Sequence, residues 1–478
     1  MNHSRMLSGS IAVALTLLLA LGSWASADTL LLHSVNIINV ESGNVTANQQ
    51  VLIRDGRIAR IGAAITDGIE NAGSIQQIDG QNGFLMPGLL DMHAHIRHPL
   101  APSLIFPQFV AHGVTGIREM NSECDDPQPG MPCLPQMQTW QQQIDAGELT
   151  GPRFLALSSF PVNPPWDYEV SEEQIRGLVA EMDNRGVDVI KTYFRLSTQA
   201  FRWLADEAAQ RELSVAGHLP VTMTVTEAAN SGLDSLEHAR DLLFDCFPGS
   251  AEFRSTERTQ NPSVAWLQRM VEEHDSTQCE QVFQAMVAND TWYVPTHVTR
   301  RMDAMAGDSA FRNDPRRQYI WPEVLQSWDA DADNMLAMAP SPDERDIVAG
   351  FYQQGLTLTG QAHQAGVRVL MGTDSGDSFS YFGASAHDEL KELVKAGLTP
   401  AQALRAATRD GAEFLNIQDD YGSVSEGKVA DLILLRANPL TDINNIGTID
   451  AVFMGQQYYD RAALDALLQD VVDAIAAM

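Results

Sequence analysis

The apolar and polar positions of the chain divide it into three parts. Near the N-terminus, short β-rich runs are broken by Glu-Ser-Gly and Asp-Gly turns, which is typical of hairpins. From about Met86 the pattern changes to an apolar strand, a polar turn and an amphipathic helix, repeated. Turn-punctuated β runs return towards the C-terminus. We therefore predict a small discontinuous β-sandwich domain from residues 28–85 and 421–478, and a larger domain from residues 86–420.

The larger domain contains eight apolar runs that predict buried strands with helices between them. The runs are GLLDMHAHI, GVTGIREM, RFLALSSF, VDVIKTYF, LSVAGHL, LDSLEHA, TWYVPTH and VRVLMGTDS. Such an alternation predicts an α/β fold, a (β/α)8 or TIM barrel. A doubly wound sheet is the alternative, because strand order cannot be read from one sequence. Residues 246–345 depart from the repeat, and we expect them to form extra helices over one face, as a lid.

The first residues have the pattern of a secretory signal peptide. Arg5 precedes an apolar stretch over residues 11–21, which is followed by the small residues Ala25, Ser26 and Ala27. A membrane anchor is the weaker alternative, because the apolar run is shorter than the roughly 20 residues that span a bilayer. We expect cleavage of residues 1–27 and export to the periplasm or the exterior.

The formal net charge of the whole chain is −31, and the signal peptide contributes one arginine and no acid to it. A surface this acidic repels nucleic acid and anionic membranes, so neither is expected as a principal partner. The expected partner of the mature chain is a small-molecule substrate. A homo-oligomer is left open.

Four cysteines remain in the mature chain: Cys124, Cys133, Cys246 and Cys279. The first two bracket DDPQPGMP, a turn segment that is able to bring its two ends together. In an exported chain we expect a disulfide there, with Cys246–Cys279 as the second. Neither spacing is that of a cysteine zinc site.

Polar residues at the predicted strand ends are the candidates for chemistry, because barrel enzymes react at that face. They are His93, His95, Lys191, His218, His238, His297 and Asp374. His93 and His95 point to the same face of a strand and can hold one cation together. A carboxylate as deep as Asp374 is costly unless a charge compensates it, and a metal would supply that charge. Each residue alone has a structural explanation, whereas the group predicts a metal site.

The motif LMPGLLDMHAHI, the lysine ending the fourth strand, the histidines after the fifth and sixth and the aspartate after the eighth resemble the amidohydrolase superfamily. The likeness extends over nearly the whole mature chain, including GSVSEGKVADLILL. It implies two divalent ions, with zinc as the expected metal. By this resemblance the ligands of the more buried ion are His93, His95 and Asp374, and those of the second are His218 and His238. Lys191 would bridge the ions as a carbamate formed with carbon dioxide.

The resemblance also implies a mechanism. A water that bridges the ions would be acidified towards hydroxide and would attack a carbonyl polarised by one ion. Asp374 would take the proton and pass it to the leaving group. Lysine suits the bridge because burial or nearby cations favour its neutral amine, whereas arginine stays protonated. The predicted activity is that of a metal-dependent amidohydrolase, which cleaves an amide C–N bond.

Two further stretches, IKTYFRL and HDELKELVKAGLTPAQALRAAT, look like the branch of imidazolonepropionases, prolidase-like dipeptidases and ochratoxin-type amidases. Several of these cleave a bond next to a free carboxylate, which implies an N-acyl amino acid or a dipeptide-like, Xaa-Pro type amide as substrate. Candidates to bind that carboxylate are Tyr193, Arg118 and Arg195, and His297 could hydrogen-bond the carbonyl.

One departure from the dipeptidase-like pattern concerns the third strand. Many such members carry Gly-Gly-His after it, whereas this chain has LALSSFPVNPPWDY there. The departure leaves the metal ligands intact and favours a different pocket. Its candidate apolar wall consists of Trp166, Tyr168 and Trp292.

Two alternatives to amide hydrolysis stay open at this point. The same hydroxide would attack C–O and P–O centres, so a lactonase or an ester or phosphotriester hydrolase is one of them. A catalytically inactive binding or assembly protein on the same scaffold is the other. It would be expected to lack metal ligands, and none of the implied ligands is missing from the sequence.

Overall fold

The computed structural model describes residues 29–66, 75–125, 130–166, 168–257 and 261–478. The predicted signal peptide, residues 1–27, lies outside this part of the chain. None of the helices within it has the length and apolar character needed to cross a membrane.

Fifteen strands are present among the described residues. They are β1 (Thr29–Asn39), β2 (Asn44–Arg54), β3 (Arg57–Gly62), β4 (Ile75–Asp79), β5 (Phe84–Pro87), β6 (Leu89–Ala94), β7 (Val114–Glu119), β8 (Arg153–Leu157), β9 (Val189–Thr192), β10 (Ser214–Gly217), β11 (Ser235–Glu237), β12 (Trp292–Val294), β13 (Leu432–Leu435), β14 (Ile449–Met454) and β15 (Gln457–Asp460).

The same residues contain eighteen α-helices. They are α1 (Ala101–Leu104), α2 (Phe106–Ala111), α3 (Leu134–Asp145), α4 (Glu172–Arg185), α5 (Thr198–Gln210), α6 (Val225–Ala229), α7 (Arg240–Asp245), α8 (Ser250–Thr256), α9 (Val264–Glu272), α10 (Ser276–Ala288), α11 (His297–Met305), α12 (Ser309–Arg312), α13 (Pro322–Met338), α14 (Pro342–Gln364), α15 (Ala384–Lys395), α16 (Pro400–Ala406), α17 (Arg409–Phe414) and α18 (Arg461–Ala476). Two short 3₁₀ helices cover Pro315–Tyr319 and Ile443–Gly447.

The terminal segments of the chain share one sheet. Its strand order is β15-β14-β13-β5-β1-β2-β3, and β4 pairs with β1. Irregularities in β1 accompany a change of partner, since its first half pairs with β4 and its second half with β5. The described strands thus join the two ends of the chain as expected, but they form a single sheet. The β-sandwich and the domain boundaries stay predictions.

The middle of the chain is a mixed α/β fold, as predicted. Its regular strands form two parallel sheets, β6-β7-β8 and β12-β11-β10-β9, and these ladders alone do not close a barrel. Isolated parallel bridges link β8 to β9 through Ser158 and Val189, and β12 to the segment around Val369 through Tyr293. A further parallel bridge joins the end of that segment, at Ser375, to Ala94 of β6.

The unit that leads into β9 illustrates why these residues form these elements. Ser171 caps α4 in a capping box with Gln174, which satisfies two backbone donors at the helix start. Gly186 ends the helix in a left-handed conformation with φ of 84°, which glycine adopts without steric cost. The chain then enters β9, whose buried residues include Lys191. A capped helix therefore fixes where this strand begins.

Both predicted disulfides are present. Cys124 pairs with Cys133 across 9 residues, and Cys246 pairs with Cys279 across 33 residues. The second ties the start of the helical insertion to α10 in the apolar core. Each bond restricts the unfolded chain, and the restriction grows with the length of the closed loop.

We predict that the two disulfides differ in their contribution to stability. The loop-closure relation gives a loss of roughly 4 kcal/mol of unfolding free energy for Cys246→Ala/Cys279→Ala, against roughly 3 kcal/mol for Cys124→Ala/Cys133→Ala. Denaturant unfolding of the two double variants measures both losses. A larger loss for the shorter loop would contradict the chain-entropy explanation.

Candidate metal centre

A cluster of buried imidazoles, one lysine and one carboxylate lies where the parallel strands end. Its members are His93, His95, Lys191, His218, His238 and Asp374. His93 and His95 come from the end of β6, and Lys191, His218 and His238 come from the ends of β9, β10 and β11. Asp374 follows the bridged segment around Val369. The structure thus gathers every metal ligand that the resemblance implied.

Asp374 is at the centre of the cluster. Its Oδ1 lies 2.9 Å from His95 Nε2 and 3.4 Å from His93 Nε2, and its Oδ2 lies 3.8 Å from His238 Nδ1. One ligand atom each from His93, His238 and Asp374 lie within 4.8 Å of one another, close enough to share a metal ion. His238 Nε2 is in turn 3.1 Å from His218 Nε2. The grouping differs slightly from the expected one, since it joins His238 to the His93 side.

Two of these residues have an unusual backbone. His238 has φ of 70° and Asp374 has φ of 53°, values in the left-handed region that non-glycine residues rarely adopt. Such conformations cost on the order of 1–3 kcal/mol each and persist only where the surroundings enforce them. Here the backbone N–H of His238 donates to Val294 O and that of Asp374 to His93 O. Neighbouring strands therefore hold both turns in place.

Lys191 is 3% exposed and sits against the end of β10. Gly217, with φ of 127°, makes room for it, because a Cβ there would lie 2.5 Å from Thr192 O and 3.3 Å from Lys191 Cγ. Burial lowers the pKa of Lys191 to about 8, although Asp374 opposes the shift. About a tenth of this amine is consequently neutral at pH 7, far more than for an ordinary lysine.

Three histidines of the cluster favour their neutral form. Burial lowers the pKa of His95, His218 and His238 well below the ordinary value, and the Lys191 charge adds to the effect. Burial alone would raise the pKa of Asp374, but the histidines around it, among them His95 at hydrogen-bonding distance, hold that pKa well below the usual range. Neutral imidazoles around an ionised carboxylate are the protonation states that bind a divalent metal.

Glu237 is a site residue that sequence reasoning missed. Its carboxylate lies 2.7 Å from His93 Nδ1 and accepts a hydrogen bond from Arg118 Nη2 at 2.7 Å. His93 Nδ1 thereby donates to Glu237 and its Nε2 points at Asp374, an arrangement that orients metal-binding histidines. The sequence feature that could have identified Glu237 is the charged residue at the end of the apolar strand in SLEHA. Thr296 Oγ1, at 2.8 Å from His238 Nδ1, supports that ring similarly.

Arg118 does not occupy the predicted substrate position. Its side chain is completely buried beneath the cluster, where it pairs with Glu237 and donates to Met92 O. The ring of Phe414 covers the guanidinium at 5.3 Å. The assignment of Arg118 to the substrate carboxylate was wrong because its strand directs the side chain into the interior rather than to the open end.

His297 is also placed away from any substrate. It is completely buried at the start of α11, where its Nε2 lies 2.9 Å from Thr359 Oγ1. Its backbone N–H donates to Glu389, and burial lowers the pKa of the ring to about 4. The imidazole therefore braces two helices, and the predicted contact with a carbonyl is wrong.

Tyr193 and Arg195 line the cavity, and their contact with a substrate stays a prediction. The Tyr193 ring lies against His218 with a centroid distance of 4.2 Å. Arg195 Nε donates to Asn163 Oδ1 at 3.1 Å and Nη2 donates to Asn163 O at 3.0 Å. Two of the N–H groups of the Arg195 guanidinium are thus bound to Asn163.

The residues predicted to form an apolar wall, Trp166, Tyr168 and Trp292, do not line the cavity. Trp292 is buried against Phe414 and Arg368 at the far end of its strand. Tyr168 is 53% exposed, and Trp166 packs behind the cavity residue Phe194. The apolar wall instead comes from α7, the insertion and α14, and its members are Phe244, Leu267, Met302, Trp321, Met335, Met338 and Phe351.

The cavity above the cluster has a volume of about 1230 Å³. The cluster supplies its floor, and helices α11, α13 and α14 supply part of its walls. The volume exceeds that of a typical small-ligand pocket, which is roughly 300–1,000 Å³. A small molecule can therefore reach the cluster.

The residues of the cluster fit a divalent metal. His93 Nε2 is buried and has no hydrogen-bond partner among the described residues, although Asp374 Oδ1 is only 3.4 Å away. A buried imidazole nitrogen without a partner is costly unless a cation occupies the space it faces. Imidazole nitrogen and carboxylate oxygen are the ligands that zinc takes in catalytic sites.

We predict that the Arg118–Glu237 pair stabilises the base of the site. Arg118→Met should lower the unfolding free energy by about 3–5 kcal/mol, because it leaves Glu237 as an uncompensated buried charge. Arg57→Met is the matched control, since the Arg57–Asp420 pair is about half exposed and should contribute less than about 1 kcal/mol. Urea unfolding measures both, and equal losses would contradict the prediction.

Comparison with known proteins supports the assignment made from the sequence. The amidohydrolase family model matches residues 329–456. A dihydroorotase from Carboxydothermus hydrogenoformans is 37% identical over 70 residues, which is 15% of this chain and 15% of the dihydroorotase. The match thus spans a small part of that protein's length.

Solved structures resemble the chain over most of its length. A bottromycin amidohydrolase has a TM-score of 0.69 at 20% identity and covers 94% of this chain, with 93% of its own residues matched. A Xaa-Pro dipeptidase with methionine in its active site has a TM-score of 0.62 at 20% identity, over 90% of this chain and 100% of that one. Ochratoxinase from A. niger has a TM-score of 0.61 at 18% identity, over 91% and 96%.

At these identities the structural likeness establishes the fold. Residues 329–456 match the amidohydrolase family, and the chain as a whole has the fold of solved amidohydrolase and dipeptidase structures.

Proposed function

We propose that the protein is a metal-dependent hydrolase that cleaves an amide C–N bond of a small substrate, an N-acyl amino acid or a dipeptide-like, Xaa-Pro type amide. The observation that carries the proposal is the buried group of His93, His238 and Asp374 at the floor of an open cavity. The names of the similar structures, an amidohydrolase and a Xaa-Pro dipeptidase, support an amide as the substrate class. The links between the parallel ladders support a closed (β/α)8 barrel as the scaffold.

Two divalent ions, with zinc as the expected metal, complete this proposal. The residues that would hold them are His93, His95, His218, His238 and Asp374, and Lys191 would be a further ligand. Bound ions of this kind act as Lewis acids on a carbonyl oxygen and lower the pKa of a water molecule.

Lys191 would contribute as a carbamate. Its Nζ, with a pKa lowered to about 8, attacks the carbon of carbon dioxide as a neutral amine and releases a proton. The product is an anion whose two oxygens suit divalent cations, whereas an ammonium would be repelled by them. Its buried position beside the cluster supports this role.

Asp374 is the residue that would move the proton. Its carboxylate is ionised, because its pKa lies well below the usual range, and it also lines the cavity. It can accept a proton from the attacking water and donate it to the amide nitrogen as the C–N bond breaks. His95 Nε2, at 2.9 Å, fixes the orientation of one carboxylate oxygen.

The central test combines metal analysis with a substrate screen of the purified mature protein. We expect about two bound ions per chain and hydrolysis of at least one N-acyl amino acid or Xaa-Pro dipeptide, by analogy with two-metal hydrolytic sites. Asp374→Asn should lower kcat at least roughly 100-fold, which is the usual size of a general acid–base contribution.

Controls in the same screen separate the remaining activities. Lactones, esters and a phosphotriester are included, and exclusive turnover of these would overturn the amide proposal. Fewer than one ion per chain, with no hydrolysis after zinc is supplied, would overturn the metal mechanism as a whole. Activity of Asp374→Asn near that of the wild type would remove Asp374 from its role.

We also propose that the protein is exported after removal of residues 1–27. The apolar segment and the small residues that follow it support this, as do two disulfides, which persist in oxidising compartments. Expression of the full chain with its leader should yield a protein whose first residue is Asp28. N-terminal sequencing or intact mass provides the measurement, and a mature protein that retains residues 1–27 would contradict the proposal.

A further inference from the structure

The cavity contains four arginine side chains, although the protein as a whole is strongly acidic. They are Arg97, Arg195, Arg240 and Arg300. Three of them have protein partners of their own. Asn121, in the amide orientation that satisfies both groups, accepts from Arg97, and Asn163 accepts from Arg195. Arg300 pairs with Asp303 at 2.6 Å.

Arg240 differs from the other three. It is only 9% exposed, it lines the cavity, and its Nε is buried without a hydrogen-bond partner among the described residues. The contact made by its side chain is from Nη2 to His218 Nδ1, at 2.9 Å. No carboxylate pairs with it within the described part of the chain at the 4.0 Å limit of an ion pair.

Asp241 and Asp374 attract this guanidinium, but neither carboxylate is bound to its donors. Arginine stays protonated inside proteins, so it cannot relieve burial by losing its charge as a lysine can. An unpaired buried charge costs several kcal/mol, and a carboxylate that binds two donors of the fork compensates it well. The nearby Arg300 makes the need greater, because it adds repulsion that burial leaves unscreened.

We propose that Arg240 binds the carboxylate of the substrate and so selects amides that carry a free carboxylate next to the scissile bond. The inference rests on the proposed function and deepens it. Arg240 contacts His218 and follows His238 by two residues, so an anion bound there lies beside the reactive centre. The carboxylate of an amino acid leaving group is separated from the scissile nitrogen by a single carbon atom, which matches this proximity.

The other basic candidates fit this role less well. Arg118 is buried beneath the cluster and paired with Glu237, and Arg195 donates twice to Asn163. Tyr193, whose ring packs on His218, forms the wall beside Arg240. The substrate class follows from the chemistry of this wall: an α-carboxylate is bound at Arg240, and the corresponding carboxamide leaves the guanidinium unpaired.

The test measures binding separately from turnover. Isothermal calorimetry on the metal-loaded full mature chain compares matched pairs of ligands: L-proline with L-prolinamide, L-phenylalanine with its amide, and N-acetyl-L-proline with its amide. We expect at least one free acid to bind roughly 10- to 100-fold more tightly than its amide, which is the range of a charge-assisted hydrogen bond. Arg240→Met should remove this preference, and Arg240→Lys should retain part of it.

Two controls keep the interpretation specific. Arg202→Met, a change at an exposed side chain outside the cavity, should leave the preference unaltered. Metal content and circular dichroism of the Arg240 variants must match the wild type, because Arg240 touches His218. If Arg240→Met does not fold, the role of Arg240 is tested by the preference of the wild type for acids over amides and by its reduction in Arg240→Lys.

The outcomes separate this proposal from the proposed function. Absence of a carboxylate preference in every wild-type pair, or a full preference in folded Arg240→Met, overturns the role of Arg240 even if amides are hydrolysed. A preference that depends on Arg240, in a protein that hydrolyses no amide, supports the anion site and overturns amide hydrolysis.

Discussion

The negative charge of Asp374, held deep among imidazoles, is the constraint on which the rest of the site depends. Removing a carboxylate from water is costly, so the surrounding groups must compensate it. A chain of contacts runs from Arg118 through Glu237 and His93 to Asp374, with distances of 2.7, 2.7 and 3.4 Å. In this chain of contacts the Glu237 carboxylate lies between the Arg118 guanidinium and the His93 ring, which can gain or lose a proton. Asp374, the last member, lines the cavity. The cluster is thus organised to receive cations at that end.

The backbone gives this chain of contacts its geometry. Parallel strands bring side chains from distant parts of the sequence to one end of the fold. At two of those ends the residues themselves, His238 and Asp374, adopt left-handed turns that aim their side chains at the centre. The absence of a side chain at Gly217 lets β10 approach Lys191 closely. A lysine can be buried here because its amine loses its proton readily, which an arginine at the same place would not do.

The helical insertion contributes the walls of the cavity and is anchored by buried ion pairs. Arg301 and Arg316 of the insertion lie 2.9 and 2.8 Å from Asp388 of α15, and Arg301 also pairs with Glu392. These contacts join the insertion to the helix that follows the Asp374 loop. Whether it opens as a lid stays a prediction, but its apolar face already belongs to the cavity, beside the four arginines. The insertion thus shapes the cavity, whereas the cluster at its base comes from the predicted barrel segment of the chain.

The sequence by itself determined the α/β alternation and the pairing of Cys124 with Cys133, through the period of apolar positions and the turn between the two cysteines. The rule that barrel enzymes react at their strand ends gave a list of candidates for chemistry, and the resemblance to a known family named the metal ligands among them. Tertiary structure alone decided the positions of the arginines and of His297. Arg118 and Arg240 both follow apolar runs, yet one points into the interior and the other into the cavity. That direction depends on the turn at His238 and on the helices packed over the strand ends, which long-range contacts fix and no local pattern encodes.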